Sequence, residues 1–173
     1  MVLKTLEYIT LDKSDWSDGL WKAEPDRRQW LDEESGYPCL ILRNPIGVLC
    51  GYVGVQPSHP AYGKHFHVVD VDLRVHGGVT FACNGSHVPG GVYHEVELGE
   101  SDDVYWLGFH CGHMGDRCPR VEMQIVAPRA IVTVPGTYRD INYVTQECHR
   151  LAVQLKAMPN RQALGNSQNL SAS

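Results

Sequence analysis

The stretch Tyr105-Trp-Leu-Gly-Phe-His-Cys-Gly-His-Met-Gly-Asp-Arg-Cys-Pro119 holds three aromatics, two histidines, two cysteines and an aspartate in fifteen residues. Cys111-Gly-His113, followed by Asp116 and Cys118, offers a thiolate, an imidazole and a carboxylate, the three side-chain types that ligate zinc. Gly112 lets the backbone bend between Cys111 and His113, and Gly115 does the same before Asp116. The same residues make a metal-free Cys–His pair. Cys111 would be the nucleophile, and His113, or His76 from across the sheet, its base. That role needs a cation or a helix N-terminus to lower the thiol pKa. A structural reading stands beside both: Cys111 as a small buried hydrophobe and the polar groups as a network fixing one loop.

His76-Gly-Gly78 is the second cluster. Its turn places Gly77 and Gly78 where backbone N–H groups can meet an anion or oxyanion, and it puts His76 within reach of the 111–116 group as a ligand or general base. His59, His65 and His67 crowd near Asp70 and Asp72. In an extended chain His65 and His67 share a side, a geometry able to chelate a metal. Lys64, His65 and Arg74 are cationic contacts for an anionic ligand on the same rim. Several familiar patterns are absent: Cys-x-x-Cys, His-Glu-x-x-His, and the His-x-Glu with Pro-Cys-x-x-Cys of deaminases. No Gly-x-Ser-x-Gly elbow accompanies His-Gly-Gly, which excludes an α/β-hydrolase.

These residues need a scaffold, and the periodicity predicts one. Residues 1–35 read as a polar arm anchored by Trp16, Trp21 and Trp30. Residues 38–43 and 48–55 form a hairpin about the turn Asn44-Pro-Ile-Gly47. Gln29–Asp32 precedes it as a further strand. Val68–Val75 alternates apolar and acidic positions and predicts a half-exposed strand carrying Asp70 and Asp72. Val79–Cys83, Val104–His110 and Val121–Val126 are further strands, with turns at 84–87 and 89–91. Thr137-Tyr-Arg-Asp140 has the form of a capping box. Ile141, Val144, Cys148, Leu151 and Leu155 then recur at helical spacing up to Pro159. Strands followed by one long amphipathic helix define an α+β fold, mainly an antiparallel sheet with a C-terminal helix. One domain spans 1–158, and the polar segment 159–173 is a disordered tail.

Bulk properties narrow the function. With 173 residues, one core needs no disulfide or metal staple. The net charge of −5 argues against a nucleic-acid partner. Neither a secretion signal nor an apolar run of membrane-spanning length is present, so the expected compartment is the cytoplasm. There, the six cysteines are thiols or ligands rather than three disulfides.

Several blocks together resemble a family of small proteins of bacteriophages, prophages and some bacteria. They are Glu24-Pro-Asp with Gln29-Trp30, Cys50-Gly-Tyr-Val-Gly-Val55, His59-Pro60 with Gly63-Lys64, Val75-His-Gly-Gly-Val-Thr-Phe81, Trp106-Leu-Gly-Phe-His-Cys-Gly-His-Met-Gly-Asp116, and Tyr138-Arg-Asp with Glu147-Cys148. The family pattern is Gly-Phe-Asp-Cys-Ala-His-x-Gly-Asp. Here His110 replaces its first Asp and Gly112 its Ala, while Cys111, His113 and Asp116 match. The resemblance implies a viral or mobile-element setting, with the host cytoplasm as the compartment. The expected function is a zinc- or Cys/His-dependent hydrolase acting on a small or nucleotide-like substrate, with Cys111, His113, His76 and Asp116 as its catalytic and metal residues. The alternative is a non-catalytic anti-defence protein that sequesters a small anionic ligand or blocks a host protein. Substrate and oligomeric state stay open at this level.

Overall fold

A computed structural model describes residues 4–69, 72–84, 103–120 and 136–159 of the chain. Its strands are β1 (Leu6–Tyr8), β2 (Arg27–Leu31), β3 (Pro38–Arg43), β4 (Leu49–Val55), β5 (Phe81–Asn84) and β6 (Tyr105–His110). They form one six-stranded sheet in the order β1-β2-β3-β4-β6-β5, every pair antiparallel. Helices among the described residues include the 3-10 turn Leu20–Lys22, the single turn α1 (Phe66–Val69) and α2 (Ile141–Lys156), and α2 lies across β3 and β4. This is the expected α+β architecture.

Side-chain alternation sorts the sheet into two faces. Cys39 and Ile41 of β3, Leu49, Val53 and Val55 of β4, and Tyr105, Leu107 and Phe109 of β6 pack with Ile141, Val144, Cys148, Leu151 and Leu155 of α2. On the opposite face, Leu40, Trp106 and Val104 form a smaller cluster with Leu42, Tyr52 and Phe81. The expected hairpin is β3–β4, paired from Arg43↔Leu49 to Cys39↔Val53. Its turn is held by the Asn44 side chain, which accepts from the Ile46 and Val48 N–H groups at 3.1 and 3.2 Å. Trp16 and Trp21 are buried, as expected of anchors for the arm, although the arm also contributes β1.

Two local expectations are corrected. The described part of the alternating segment 68–75 is not the expected strand: Phe66–Val69 is helical, and residues 72–75 pair with no strand among the described residues. The partner of 72–75 is α2, through the Gln154 side chain, which accepts from the Arg74 N–H at 2.7 Å and donates to its carbonyl at 2.8 Å. Thr137 does not cap the helix. Asp140 does, accepting the Tyr143 N–H at 2.8 Å. Thr137 instead bridges Asp116. The expected strand 121–126, the turns at 85–91, Asp70, and the tail from 160 onward lie outside the described residues.

Candidate functional site

Three elements converge beyond the end of β6. The first is the loop that follows the strand. Cys111 still bonds to β4 through its N–H and the Leu49 carbonyl at 3.1 Å. The chain then turns, and the Asp116 N–H closes the turn on the His113 carbonyl at 2.9 Å. The Asp116 side chain accepts the His113 N–H at 3.0 Å. The second element is the segment leading into α2, which runs alongside this loop: Thr137 N–H reaches the Gly115 carbonyl at 2.8 Å, and Arg117 N–H the Thr137 carbonyl at 3.0 Å. A Cβ at Gly136 would lie 2.6 Å from the Asp116 backbone, so only glycine permits this approach.

The third element is the turn at 75–78. It is closed by Gly78 N–H to the Val75 carbonyl at 3.0 Å. It is tied to α2 by His76 N–H, which donates to Glu147 Oε2 at 2.8 Å. Gly77 has φ +66°, and a Cβ there would stand 2.0 Å from the His113 ring. Glycine is required at 77 both for its left-handed backbone and for the space that the imidazole occupies.

At the meeting point, His76 Nε2 lies 2.8 Å from Asp116 Oδ2, and His113 Nδ1 lies 3.7 Å from the same oxygen. One ligand atom from each residue falls within 4.8 Å of the others. Asp116 Oδ1 accepts from Arg139 Nε at 2.9 Å. The second ring nitrogen of His76, Nδ1, meets the Tyr143 hydroxyl at 3.0 Å. Arg139 lies over the Tyr143 ring, 4.8 Å from its centroid. His110 stacks on His113 with ring centroids 4.2 Å apart. Burial alone would raise the Asp116 carboxyl. Hydrogen bonds from Arg139, His76 and the His113 N–H outweigh it and hold the group ionised below the ordinary carboxylate range. Burial, with the charges of His113 and His76, lowers His110.

Of the predicted residues, His76, His113 and Asp116 come together. Cys111 does not join them. It continues the inward alternation of Tyr105, Leu107 and Phe109, lies in the core beneath α2 at 2% exposure, and burial raises its thiol far above the usual value. A protonated, enclosed thiol is neither a nucleophile nor a ready ligand. Lys64 is also displaced from the site: its carbonyl accepts from the Tyr105 hydroxyl, at the opposite end of β6 from His110. The expected anion cradle at Gly77 and Gly78 is already committed in part, since the Gly78 N–H closes its own turn. His65 and His67 are exposed neighbours, 5.0 Å between centroids, and no third ligand joins them among the described residues. His59 is structural. Its Nε2 bonds the Leu155 carbonyl at 2.9 Å and its Nδ1 accepts the Ala61 N–H at 3.0 Å.

Sequence reasoning missed Arg139, Tyr143 and Glu147. A signal for two of them was present: Tyr143, Glu147, Arg150 and Gln154 follow i, i+4, i+7, i+11, a polar stripe beside the apolar one. That stripe faces residues 73–78. Comparison with family models, with curated proteins and with solved structures finds no match for this chain.

Proposed function

We propose that the chain is a metal-dependent hydrolase whose metal ion, zinc by the chemistry of the donors, is held by His76, His113 and Asp116. The observation that carries this reading is His113 Nδ1. It is buried, has no hydrogen-bond partner, and stands beside the Asp116 carboxylate and the His76 ring. A buried nitrogen left unpaired costs on the order of 1–3 kcal/mol, and a metal ion supplies the missing partner. One ligand atom from each of the three residues lies within 4.8 Å of the others, with Asp116 Oδ2 2.8 and 3.7 Å from the two imidazole nitrogens, so a single ion would be within reach of all three.

A zinc ion held by the two imidazoles and the carboxylate would supply an activated water for hydrolysis. The remaining residues orient the ligands. Tyr143 fixes the His76 ring through Nδ1, and Arg139 holds the second oxygen of Asp116. Imidazole nitrogens must be unprotonated to ligate a metal, so an ion held by these residues would bind more tightly as pH rises. The resemblance to phage proteins supports a viral setting in the host cytoplasm, and among the described residues no helix is long and apolar enough to cross a membrane.

A second reading is an anti-defence protein without turnover, which sequesters a small anionic ligand or blocks a host protein. In its favour, His76 is bonded on both ring nitrogens and Asp116 on both oxygens by protein groups alone. Metal analysis of untagged protein purified without chelator separates the two. The hydrolase reading expects stoichiometric zinc, lost in His113→Ala and retained in Cys111→Ala. It also expects zinc affinity to fall roughly 10–100-fold in Tyr143→Phe, the usual cost of removing a partner of a metal-bound histidine. Metal-free wild type that takes up no added zinc would overturn it.

A further inference from the structure

The polar stripe of α2 and the segment 73–78 enclose an open hollow of about 300 Å³, lined by Leu73, Arg74, Val75, His76, Gly78, Tyr143, Glu147 and Arg150. We infer that this hollow binds a phosphate group, with Arg74 and Arg150 as its cationic contacts and the Tyr143 hydroxyl as a neutral one. The site is distinct from the three-residue cluster, which it adjoins through His76, and the inference does not rest on a bound metal.

The arginines are set in a fixed frame. The Gln154 side chain accepts the Arg74 N–H at 2.7 Å and donates to the carbonyls of both Arg74 and Arg150, at 2.8 and 2.9 Å. One amide therefore locks the backbones that carry both guanidinium groups, which lowers the entropy lost on gripping an anion. The acid in the hollow does not oppose this. Glu147 is 4% exposed, and both of its oxygens are engaged: Oε2 by the His76 N–H at 2.8 Å and Oε1 by Arg150 NH1 at 3.0 Å. Glu147 thereby orients Arg150, whose side chain remains 62% exposed, with guanidinium N–H groups left for a ligand. Asp116, which meets the lining residue His76, is neutralised by Arg139. Two arginines against one committed carboxylate leave a net positive lining, and guanidinium groups match the oxygens of phosphate. The volume sits at the lower end of small-molecule pockets and leaves room beside one phosphate for the organic part of a phosphomonoester.

The test is isothermal titration at fixed ionic strength, in chelator-treated protein, with inorganic phosphate in one arm and ribose 5-phosphate in the other. Binding is expected in metal-free wild type, weakened about tenfold or more in Arg74→Ala and in Arg150→Ala. Arg150→Lys should recover part of the loss. Tighter binding of the ester identifies a phosphomonoester as the ligand class, and equal or tighter binding of phosphate identifies the free ion. Arg74 is exposed, so its variant should melt as wild type does; Arg150→Ala also unpairs the buried Glu147, so circular dichroism checks its fold and Arg150→Lys, which keeps a cation there, serves as its control. Three results would overturn the inference: no binding in either arm, affinity unchanged in both alanine variants, or binding that appears only when zinc is restored. The last would make phosphate a ligand of the metal and leave the hydrolase reading intact, whereas zinc-free binding in a protein that takes up no zinc would do the reverse.

Discussion

His149 shows how much one side chain contributes to holding α2 against the sheet. Its Nδ1 lies 2.6 Å from Asp32 Oδ2, and its Nε2 lies 3.6 Å from Glu34. The hydrogen bond to Asp32 raises the imidazole pKa. Burial would raise Asp32, but bonds from His149 and from the Ser35 N–H and hydroxyl outweigh it and lower the carboxyl. The imidazole, raised in the folded state, contributes stability that is complete below its unfolded value of about 6.5 and is lost as pH rises through the folded value. The carboxyl contributes stability present above about 3.9 and lost as pH falls through its lowered folded value. The pair therefore stabilises most in weakly acidic solution. Urea unfolding of wild type and His149→Ala should differ by about 1 kcal/mol or less for so exposed a histidine, with the gap widest between the two unfolded values and closing as pH rises through the raised folded value of His149. A gap that widens with rising pH would disprove the assignment. Residues of this kind are poorly legible in the sequence. His149 and Asp32 are 117 positions apart, and nothing in either neighbourhood marks the other as its partner. His76, His113 and Asp116 stood out because residue type alone concentrates chemistry there. Their mutual contact was a guess about topology, which the sheet order then satisfied.

At the level of elements, the close approach of α2 to the sheet depends on Gly51. A Cβ at that position would lie 2.5 Å from the Phe109 ring and 2.7 Å from Cys148 Sγ. Gly51 sits opposite Phe109 in the β4–β6 ladder, and the space a side chain at 51 would need is taken by the Phe109 ring and by Cys148 of the helix. Gly51→Ala should cost about 1–3 kcal/mol by overpacking, read as a lower denaturant midpoint at unchanged slope; no change would mean that the helix stands further off than described. Periodicity exposed most of these elements: the hairpin of β3 and β4, the inward stripe of α2, and β6 were all readable from apolar spacing. It failed at 68–75, where the strand pattern is real but the partner is Gln154 of α2 rather than another strand. At Cys111 the misleading signal was composition, not periodicity. Composition marks that residue as reactive, whereas counting by twos from Tyr105 puts it inside, and the alternation determines its fate.

For the molecule as a whole, one buried ionic network joins the N-terminal arm, the hairpin and the lead into α2. Arg43, its side chain wholly buried, bonds Asp26 at 2.8 Å, Glu24 at 3.1 Å, the Gly47 carbonyl at 3.0 Å and the Tyr138 hydroxyl at 2.8 Å. Lys13 joins Asp26 at 2.8 Å, and Asp26 also accepts the N–H groups of Thr10 and Leu11 at 2.9 Å. Glu24 accepts from the Tyr138 hydroxyl at 2.5 Å and from the Ile141 N–H at 3.1 Å, at the start of the helix. Desolvation works against the charges at Asp26 and at Arg43. Their hydrogen bonds overcome it in both cases, lowering the carboxyl and raising the guanidinium. Such a network yields little net stability over a well-packed apolar substitute, but it cannot lose one member without leaving others charged and dry. Arg43→Ala strands Glu24 and part of Asp26, and should cost about 3–5 kcal/mol in chemical denaturation. Because Tyr138 and Ile141 lead into Arg139 and Tyr143, the same substitution should also loosen the Arg139–Asp116 contact. Faster hydrogen exchange at 138–143 than at 148–155 would report that loosening. If exchange rises evenly along α2, the network braces the fold alone and the site is positioned by its own loop.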